Sequence, residues 1–229
     1  MSRSQNTSPT WIVGVTGASG MPYSLKLLDV LEQVCDEVHV VFSEAALRVL
    51  QEEEGKKLKP SRLSSEALID RESDKLFFYD NKDIGAAIAS GSFLTNGMVI
   101  VPCSMGTLGA VSNGLCQNLI HRAADVVLKE GRELVIVPRE TPLSAIHLEN
   151  MLKLSRMGTR VVPAMPGFYQ QPESLSDLVD MMVMKILDQM GIHRELVPRW
   201  GRDKETRKER AALELIPLSR RAEEIKDNE

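Results

Sequence analysis

Five short apolar runs recur along the chain, and segments with helical spacing of apolar residues separate them. The runs are rich in Val and Ile and contain almost no polar position, which is typical of parallel strands covered on both faces. They occupy residues 11–15, 38–42, 98–102, 133–138 and 160–164. The helical patterns occupy residues 21–34, 44–54, 118–129, 144–157 and 174–190. Gly158 follows the fourth of these patterns, where a helix is expected to end.

The alternation of strand and helix predicts an α/β fold with a single doubly wound parallel sheet, Rossmann-like or flavodoxin-like. Residues 11–201 are expected to form this one domain, between a flexible N-terminal tail (1–10) and a charged C-terminal tail (202–229). The polar region 55–71 is predicted to be a surface excursion. The stretch 108–128, rich in small and apolar residues, is predicted to be a helix that packs against another subunit.

Composition narrows the classes of function. The 229 residues carry a formal net charge of −4, so nothing favours nucleic acid as a partner. No apolar run approaches the ~18 residues that cross a bilayer, and the polar start lacks the layout of a signal peptide, so we expect a cytoplasmic protein without a membrane partner. Cys35, Cys103 and Cys116 lack metal-ligand spacing and are predicted to be buried, reduced thiols.

Ligands of doubly wound sheets bind at the carboxyl ends of the strands, so the turn after the first apolar run is the first candidate site. In this turn, "TGASG", Gly17 and Gly20 permit a tight bend. Thr16 and Ser19 bring hydroxyls to the free amides of the helix that follows, which is a natural anion site. The pattern favours a phosphate, and a serine-capped turn without a ligand is the alternative.

The spacing of the glycines bears on which phosphate compound is bound. Gly14, Gly17 and Gly20 do not match the dinucleotide fingerprint G-x-G-x-x-G. The second run ends in Ser43 rather than in an acidic residue that would bind a ribose, so a mononucleotide is favoured over NAD. Ser43 is expected to donate to a terminal phosphate, to cap the next helix, or to do both.

Further polar residues follow the third and fourth runs. Ser104, Gly106 and Thr107 are small enough to approach a flat ring closely. Arg139 and Glu140 are expected at the same edge of the sheet, with a surface ion pair as the alternative.

Arg122 and Lys129 are seven residues apart, two helical turns, so they share one face of a predicted helix. A solvated basic face is the alternative interpretation of this pair.

Several longer segments together resemble the UbiX-like flavin prenyltransferases, within the larger group of flavin-containing cysteine decarboxylase-type folds. The segments are "TGASG", "ASGSF", "VPCSMGTLGAVSNG", "NLIHRAADVVLKE", "VPRETPLSAIHLENMLKLSRMG", "PAMPGFYQQPESLSDLVD" and "LVPRWG". The resemblance implies a metal-independent transferase that joins a dimethylallyl group from a dimethylallyl phosphate to N5 and C6 of reduced FMN, with the choice between monophosphate and diphosphate donor left open. It implies that the product, prenylated FMN, serves a UbiD-type decarboxylase, and that the enzyme is a homo-oligomer, commonly a dodecamer built of trimers.

The resemblance also assigns site residues by their match to the family motifs. The residues implied to hold FMN are Gly17, Ala18, Ser19, Ser43, Ser104, Met105, Gly106, Thr107, Arg122 and Arg139. Those implied to surround the prenyl phosphate are Ser90, Gly91, Lys129, Arg139, Glu140, Tyr169 and Lys185, with Trp200 as a dry wall for the allylic group. Arg122 and Lys129 are expected to enter from neighbouring subunits.

Three side chains are implied to be catalytic, as possible acceptors of the proton that leaves flavin C6: Ser19, Glu53 and Glu140. The released phosphate is a fourth acceptor, and the sequence does not choose among them. For Glu53 the alternative is a solvated acidic run with Glu52 and Glu54.

The chain departs from the family pattern at two positions. Lys185 stands where the family usually carries Arg. Lysine keeps the positive charge, but it lacks the planar group with which arginine binds two phosphate oxygens. Ile84 stands where the family often has an aromatic residue, so one wall of the prenyl pocket is expected to have a different shape.

Two other classes of flavoprotein would show different sequence features. A cysteine-type FMN decarboxylase would show a "PASANT"-like segment where this chain has "PCSMGT". An electron carrier of the flavodoxin type would be more acidic, and it would sandwich the flavin with aromatic rings, which make up only 4% of this chain.

Overall fold

The computed structural model describes residues 9–199, and its centre is a sheet of six parallel strands. The strands are β1 (Thr10–Val15), β2 (Glu37–Phe42), β3 (Leu76–Asp80), β4 (Gly97–Cys103), β5 (Glu133–Pro138) and β6 (Arg160–Val161). Their order in the sheet is β3-β2-β1-β4-β5-β6, which is the order of dinucleotide-binding folds. The predicted doubly wound α/β fold is confirmed, and its topological switch point lies between β1 and β4.

Within residues 9–199, seven α-helices connect and cover the strands. They are α1 (Met21–Val34), α2 (Glu44–Glu54), α3 (Ser65–Ile69), α4 (Met105–Ser112), α5 (Leu119–Lys129), α6 (Ala145–Arg156) and α7 (Leu175–Gln189). Helices α1, α2, α3 and α7 bury one face of the sheet, and α4, α5 and α6 bury the other. Alternate strand residues feed the two cores: Val13 and Val15 belong to the first, and Ile12 to the second. Within the described part of the chain no helix is long and apolar enough to cross a membrane.

Two elements differ from the sequence-based prediction in the first half of the chain. Strand β3 was not predicted, because it is an edge strand with an open face: only Leu76 is buried, and Phe77 is 40% exposed. The region 55–71 is more than a surface excursion, since it contains α3. Leu68 of this helix packs into the core, and Lys56 Nζ donates to the carbonyls of Ala67 (3.0 Å) and Leu68 (3.3 Å).

The stretch 108–128 was predicted to be one helix. In the structure it forms parts of two helices, α4 and α5. Gly114 adopts a left-handed conformation (φ 67°) after α4, and the side chain of Asn118 caps the start of α5 by accepting from the amide of His121 (3.0 Å). Cys116 lies exposed in this turn, so the prediction of a buried thiol is wrong for it. It is right for Cys35 and Cys103, whose burial raises the pKa of both thiols.

The last apolar run is shorter as a strand than as a pattern. Strand β6 covers only two residues, because Pro163 has no amide to donate. The segment nevertheless follows β5 further, since the amide of Val162 donates to Ile136 (2.8 Å) and that of Ala164 to Pro138 (3.0 Å). Gly158 ends the preceding helix with φ 91°, as predicted.

Candidate functional site

Thr16 joins the ends of β1 and β4 at the switch point. Its hydroxyl donates to the carbonyl of Pro102 (2.8 Å) and accepts from the amide of Ser104 (2.8 Å), and the residue is 1% exposed. The hydroxyl was expected to be available to an anion. The structure corrects this, because both of its hydrogen-bonding roles serve the fold.

The amides at the start of α1 are paired with the carboxylate of Glu53, which lies at the end of α2. Gly20 donates to Oε1 (3.2 Å) and Oε2 (3.0 Å), and Met21 donates to Oε2 (2.8 Å). The expectation of free amides at this turn is therefore wrong, since a phosphate would have to displace a carboxylate already bound there. Glu53 stays exposed in the acidic run, and its carboxylate also caps a helix distant in sequence.

Arg139 and Tyr23 complete this group, which we call the Glu53 cluster: Ser19, Tyr23, Glu53 and Arg139. The Nε of Arg139 donates to the carbonyl of Ser19 (3.2 Å), which brings the end of β5 to the turn after β1. Partial burial alone would raise the pKa of Glu53. Hydrogen bonds from Ser19, Gly20 and Met21, with the charge of Arg139, outweigh it and hold that pKa below its ordinary value. The carboxylate is therefore ionised at neutral pH.

Ser43 and Ser104 cap the helices that follow β2 and β4. The Oγ of Ser43 accepts from the amide of Ala46 (3.1 Å), and that of Ser104 accepts from Thr107 (3.4 Å). The capping alternative for Ser43 is thus confirmed. A serine cap accepts through oxygen and leaves its hydroxyl hydrogen for another acceptor, so the role of Ser43 toward a phosphate stays a prediction.

Two glycines shape the surface between these turns. A Cβ at Gly17 would clash with Ala45 of α2, so only glycine permits the close packing of turn and helix. A Cβ at Gly106 would meet nothing within 4 Å, so the first turn of α4, with Met105, faces open space. Small residues, hydroxyls and one guanidinium therefore share this edge with Ala18 and Ser19.

Glu140 bonds to the backbone that follows it. Its Oε1 accepts from the amide of Thr141 (3.0 Å), and within residues 9–199 no ion pair joins it to Arg139. The surface-ion-pair interpretation is therefore wrong.

A second group, the Lys129 loop, consists of Ser90 to Phe93 together with Lys129. Lys129 forms an ion pair with Glu130, and Gly91 packs directly against that pair. The loop leads into the start of β4 and α5 leads into the start of β5, so both lie at the amino edge of the sheet. Strand β5 has six residues, which puts Lys129 and Arg139 of one chain about 20 Å apart.

Arg122 lies two turns before Lys129 on α5, as predicted. Its Nε donates to the carbonyl of Ala89 (3.3 Å), and its Nη1 pairs with Asp125 (2.9 Å). Ile84, in the segment before this loop, is 60% exposed, which leaves its predicted effect on the prenyl pocket open.

A third group lines a groove of about 880 Å³ beside the edge strand β6. Tyr169 and Lys185 both line it, and we call this group the Lys185 groove. Gly167 packs against the ring of Tyr169, since a Cβ there would lie 2.9 Å from the ring, and its amide donates to the sulfur of Met181 (3.2 Å).

The end of the described chain is fastened beside this groove. Arg199 pairs with both oxygens of Asp188 (2.8 and 2.7 Å), and Gln170 donates to the carbonyl of Pro198 (2.8 Å). Trp200, the predicted wall of the allylic pocket, lies outside the described residues, as do residues 1–8 and the predicted C-terminal tail.

One chain thus brings the predicted residues together in three places rather than in one site. Sequence reasoning missed Tyr23 and Arg132, which contact the first and second group. Tyr23 could have been found from the sequence, because it lies one helical turn after Gly20, in the turn that follows the first strand. Arg132 carries none, because its contacts come from a loop distant in sequence.

Comparison with known proteins identifies the family of this chain. A family model described as Flavoprotein matches residues 1–187. Flavin prenyltransferase UbiX of Halalkalibacterium halodurans is 48% identical over 195 residues, which are 85% of this chain and 95% of that protein.

Two solved structures share the fold and much of the sequence. The dodecameric FMN-dependent UbiX-like decarboxylase from Escherichia coli O157:H7 superimposes with a TM-score of 0.74 at 45% identity, covering 83% of this chain and 98% of that one. AnUbiX in complex with FMN and dimethylallyl pyrophosphate gives a TM-score of 0.75 at 40% identity, covering 84% and 97%. The chain therefore belongs to the Flavoprotein family and, within it, to the UbiX-like flavin prenyltransferases.

Proposed function

We propose that this protein transfers a dimethylallyl group from dimethylallyl monophosphate to N5 and C6 of reduced FMN, and that the product serves a UbiD-type decarboxylase. The observation that carries the proposal is the Glu53 cluster, an ionised carboxylate with a guanidinium beside it at the switch point of the sheet. A ligand-binding edge with a fixed negative charge suits a reaction that develops positive charge on an allylic carbon.

The carboxyl edge of the sheet is the proposed flavin site. Reduced FMN supplies the nucleophilic N5 and C6 atoms when it is bound. The first turn of α4 presents a small, open surface to a ring at Gly106, Ser43 offers a hydroxyl to a phosphate, and Arg139 offers a guanidinium. Arg122 of a neighbouring subunit is proposed to complete the grip on the flavin.

The cationic residues of the other two groups are proposed to bind the prenyl phosphate. When the allylic C–O bond breaks, its electron pair goes to the phosphate oxygen, and charged donors stabilise the growing negative charge. Lys129, Lys185 and Tyr169 supply those donors, with the backbone of Ser90 and Gly91 beside Lys129.

The proton released at C6 needs an acceptor near the flavin. Glu53 is ionised and close to Ser19, while Glu140 lies after β5 at the same edge. The released phosphate is an acceptor as well. We propose Glu53 as the residue whose charge matters most, because the fold holds its carboxylate in place through two backbone amides.

An FMN-dependent decarboxylase is the second candidate function. It is favoured by the description of the E. coli neighbour as a UbiX-like decarboxylase. A non-catalytic electron carrier is a third candidate function.

The mass of the flavin after reaction separates these functions. The protein is mixed without oxygen with reduced FMN and dimethylallyl monophosphate, and the diphosphate is used in a parallel reaction. A flavin heavier by one dimethylallyl unit is expected with the monophosphate. An unchanged flavin with both donors would contradict the proposal.

We predict that FMN binds in preference to FAD or NAD. The amides of Gly20 and Met21 that would meet a pyrophosphate are paired with Glu53, and Gly17 is closed against Ala45. Calorimetry should give a Kd for FMN at least about tenfold below those for FAD and NAD. Equal or tighter binding of either dinucleotide would overturn this prediction.

We also predict a homo-oligomer, a dodecamer as in the E. coli neighbour, with sites shared between subunits. Lys129 and Arg139 of one chain lie about 20 Å apart, near opposite edges of the sheet, so they are not expected to act on one substrate molecule. Helix α6 also exposes Leu148 (52%) and Leu152 (50%), which lie one turn apart on one face and suit burial against another subunit. Light scattering at micromolar concentration measures the mass, and a monomer would refute the prediction.

A further inference from the structure

We propose that Arg132 is a positioning residue for the prenyl-phosphate site, a role that rests on the proposed function. Its guanidinium binds two carbonyls of the Lys129 loop at once: Nη1 donates to Phe93 (2.7 Å) and Nη2 donates to Gly91 (2.6 Å). These are charge-assisted bonds from one planar group to carbonyls two residues apart, a geometry that lysine cannot reproduce.

The loop depends on arginines for its position. It lies between a 3₁₀ turn (Ala87–Ala89) and β4, and the carbonyls of Ala89, Gly91 and Phe93 are each held by an arginine: Arg122 for the first, Arg132 for the other two. Inside the loop, the hydroxyls of Ser90 and Ser92 are 2.8 Å apart, which fixes one against the other but not against the sheet.

One aromatic contact adds to the anchoring. Phe93 meets the ring of His39 edge to face, with ring centroids 4.9 Å apart and planes at 90°. His39 itself is buried and lies on β2. This contact holds the end of the loop, while Arg132 holds both the end and the turn at Gly91.

Arg132 also links the loop to Lys129. The backbone amide of Arg132 donates to Val127 (2.9 Å) and closes the end of α5, three residues after Lys129. A Cβ at Gly91 would lie 3.0 Å from Nζ of Lys129 and would clash with Glu130, so the loop rests on the Lys129–Glu130 pair. One residue therefore sets the distance between the Ser90–Gly91 backbone and the Lys129 ammonium.

Both halves of this arrangement face a phosphate in the proposed function. If the loop moves, Lys129 keeps its charge but loses its fixed relation to the loop amides and to the Ser90 hydroxyl. Prenyl-phosphate affinity should then fall, whereas FMN affinity should not, because the guanidinium of Arg132 binds Gly91 and Phe93, which are not among the residues proposed to hold FMN.

The test measures binding of dimethylallyl monophosphate to the FMN-loaded oligomer by calorimetry for the wild type, Arg132→Gln and Arg132→Lys. We expect the Kd of Arg132→Gln to rise about tenfold or more, and that of Arg132→Lys to rise less, because an ammonium satisfies the two carbonyls less well. The Kd for FMN should stay within about twofold. Arg48→Gln, an 83% exposed arginine paired only along its own helix with Glu52, is the matched control and should change neither Kd.

Two results would overturn the positioning role. One is an unchanged Kd for the prenyl phosphate in Arg132→Gln. The other is a parallel loss of FMN and prenyl-phosphate affinity together with a lower Tm, which is the signature of a general structural defect. Failure of the proposed function gives a different pattern, since the wild type would then bind the prenyl phosphate without forming a heavier flavin.

Discussion

Replacing Glu53 with Gln is expected to slow prenyl transfer by about 10²–10⁴-fold while FMN stays bound. Glutamine keeps an oxygen that can accept from the amides of Gly20 and Met21, so the start of α1 keeps its partner. What is lost is the negative charge and the ability to accept a proton. Single-turnover formation of prenylated FMN, followed by flavin mass and absorbance, measures the rate.

The pH dependence of the rate is a second test of the role of Glu53. The pKa of Glu53 is held below its ordinary value, so its ionised form is present above that pKa and is lost as the pH falls through it. The wild-type rate should therefore stay level from neutral into mildly acidic pH before it declines, and the decline caused by Glu53 should be missing in Glu53→Gln.

Glu52→Gln is the matched control for this substitution. Glu52 is one residue away on α2, is exposed, and pairs with Arg48 rather than with α1. Its replacement should leave the rate unchanged. A Glu53→Gln enzyme as fast as the Glu52→Gln enzyme would remove Glu53 from the reaction.

Replacing Lys185 with Ala is expected to weaken binding of dimethylallyl monophosphate about 10- to 100-fold, the loss of one charge-assisted bond of roughly 1.5–3 kcal/mol. Lys185 lines the groove beside Tyr169. The nearby carboxylate of Asp188 is bound through both oxygens by Arg199, and it also attracts the Lys185 ammonium. Titration of the FMN-loaded enzyme measures the change, and FMN binding should be retained.

Two further variants interpret this result. Lys185→Arg should keep or improve affinity, because a guanidinium can hold two phosphate oxygens, unless the groove is shaped to the shorter lysine. Lys57→Ala removes an exposed lysine after α2 and should have no effect. Equal affinity and turnover in the wild type and Lys185→Ala would place Lys185 outside the site.

The sequence predicted the strands that are buried on both faces, because burial on both faces requires an uninterrupted apolar run. Strand β2, for example, is buried at every position after Glu37. It did not predict β3, where an open face relaxes that requirement and Phe77 is exposed. The break between α4 and α5 depends on the left-handed Gly114, which the apolar pattern on either side concealed.

The candidate site was predicted as a set of residues but not as a geometry. Strand ends identify Ser19, Ser43 and Arg139, since parallel strands deliver their following residues to one edge. The hydroxyl of Thr16 donates to Pro102, and the carboxylate of Glu53 caps α1. Both contacts join segments that are far apart in the chain. No local pattern encodes such contacts, so only the folded structure shows which polar groups remain for a ligand.

One prenyl-transfer site is proposed to take Glu53 from one subunit and Lys129 from another. Activity in mixed oligomers tests this: chains with Glu53→Gln and chains with Lys129→Ala, each inactive alone, are co-expressed with different tags and purified together. These mixed oligomers are expected to recover prenylated-FMN formation, because some sites combine an intact Glu53 with an intact Lys129. If mixed oligomers form but stay as inactive as either parent, both residues act within one chain, and the site is not shared between subunits.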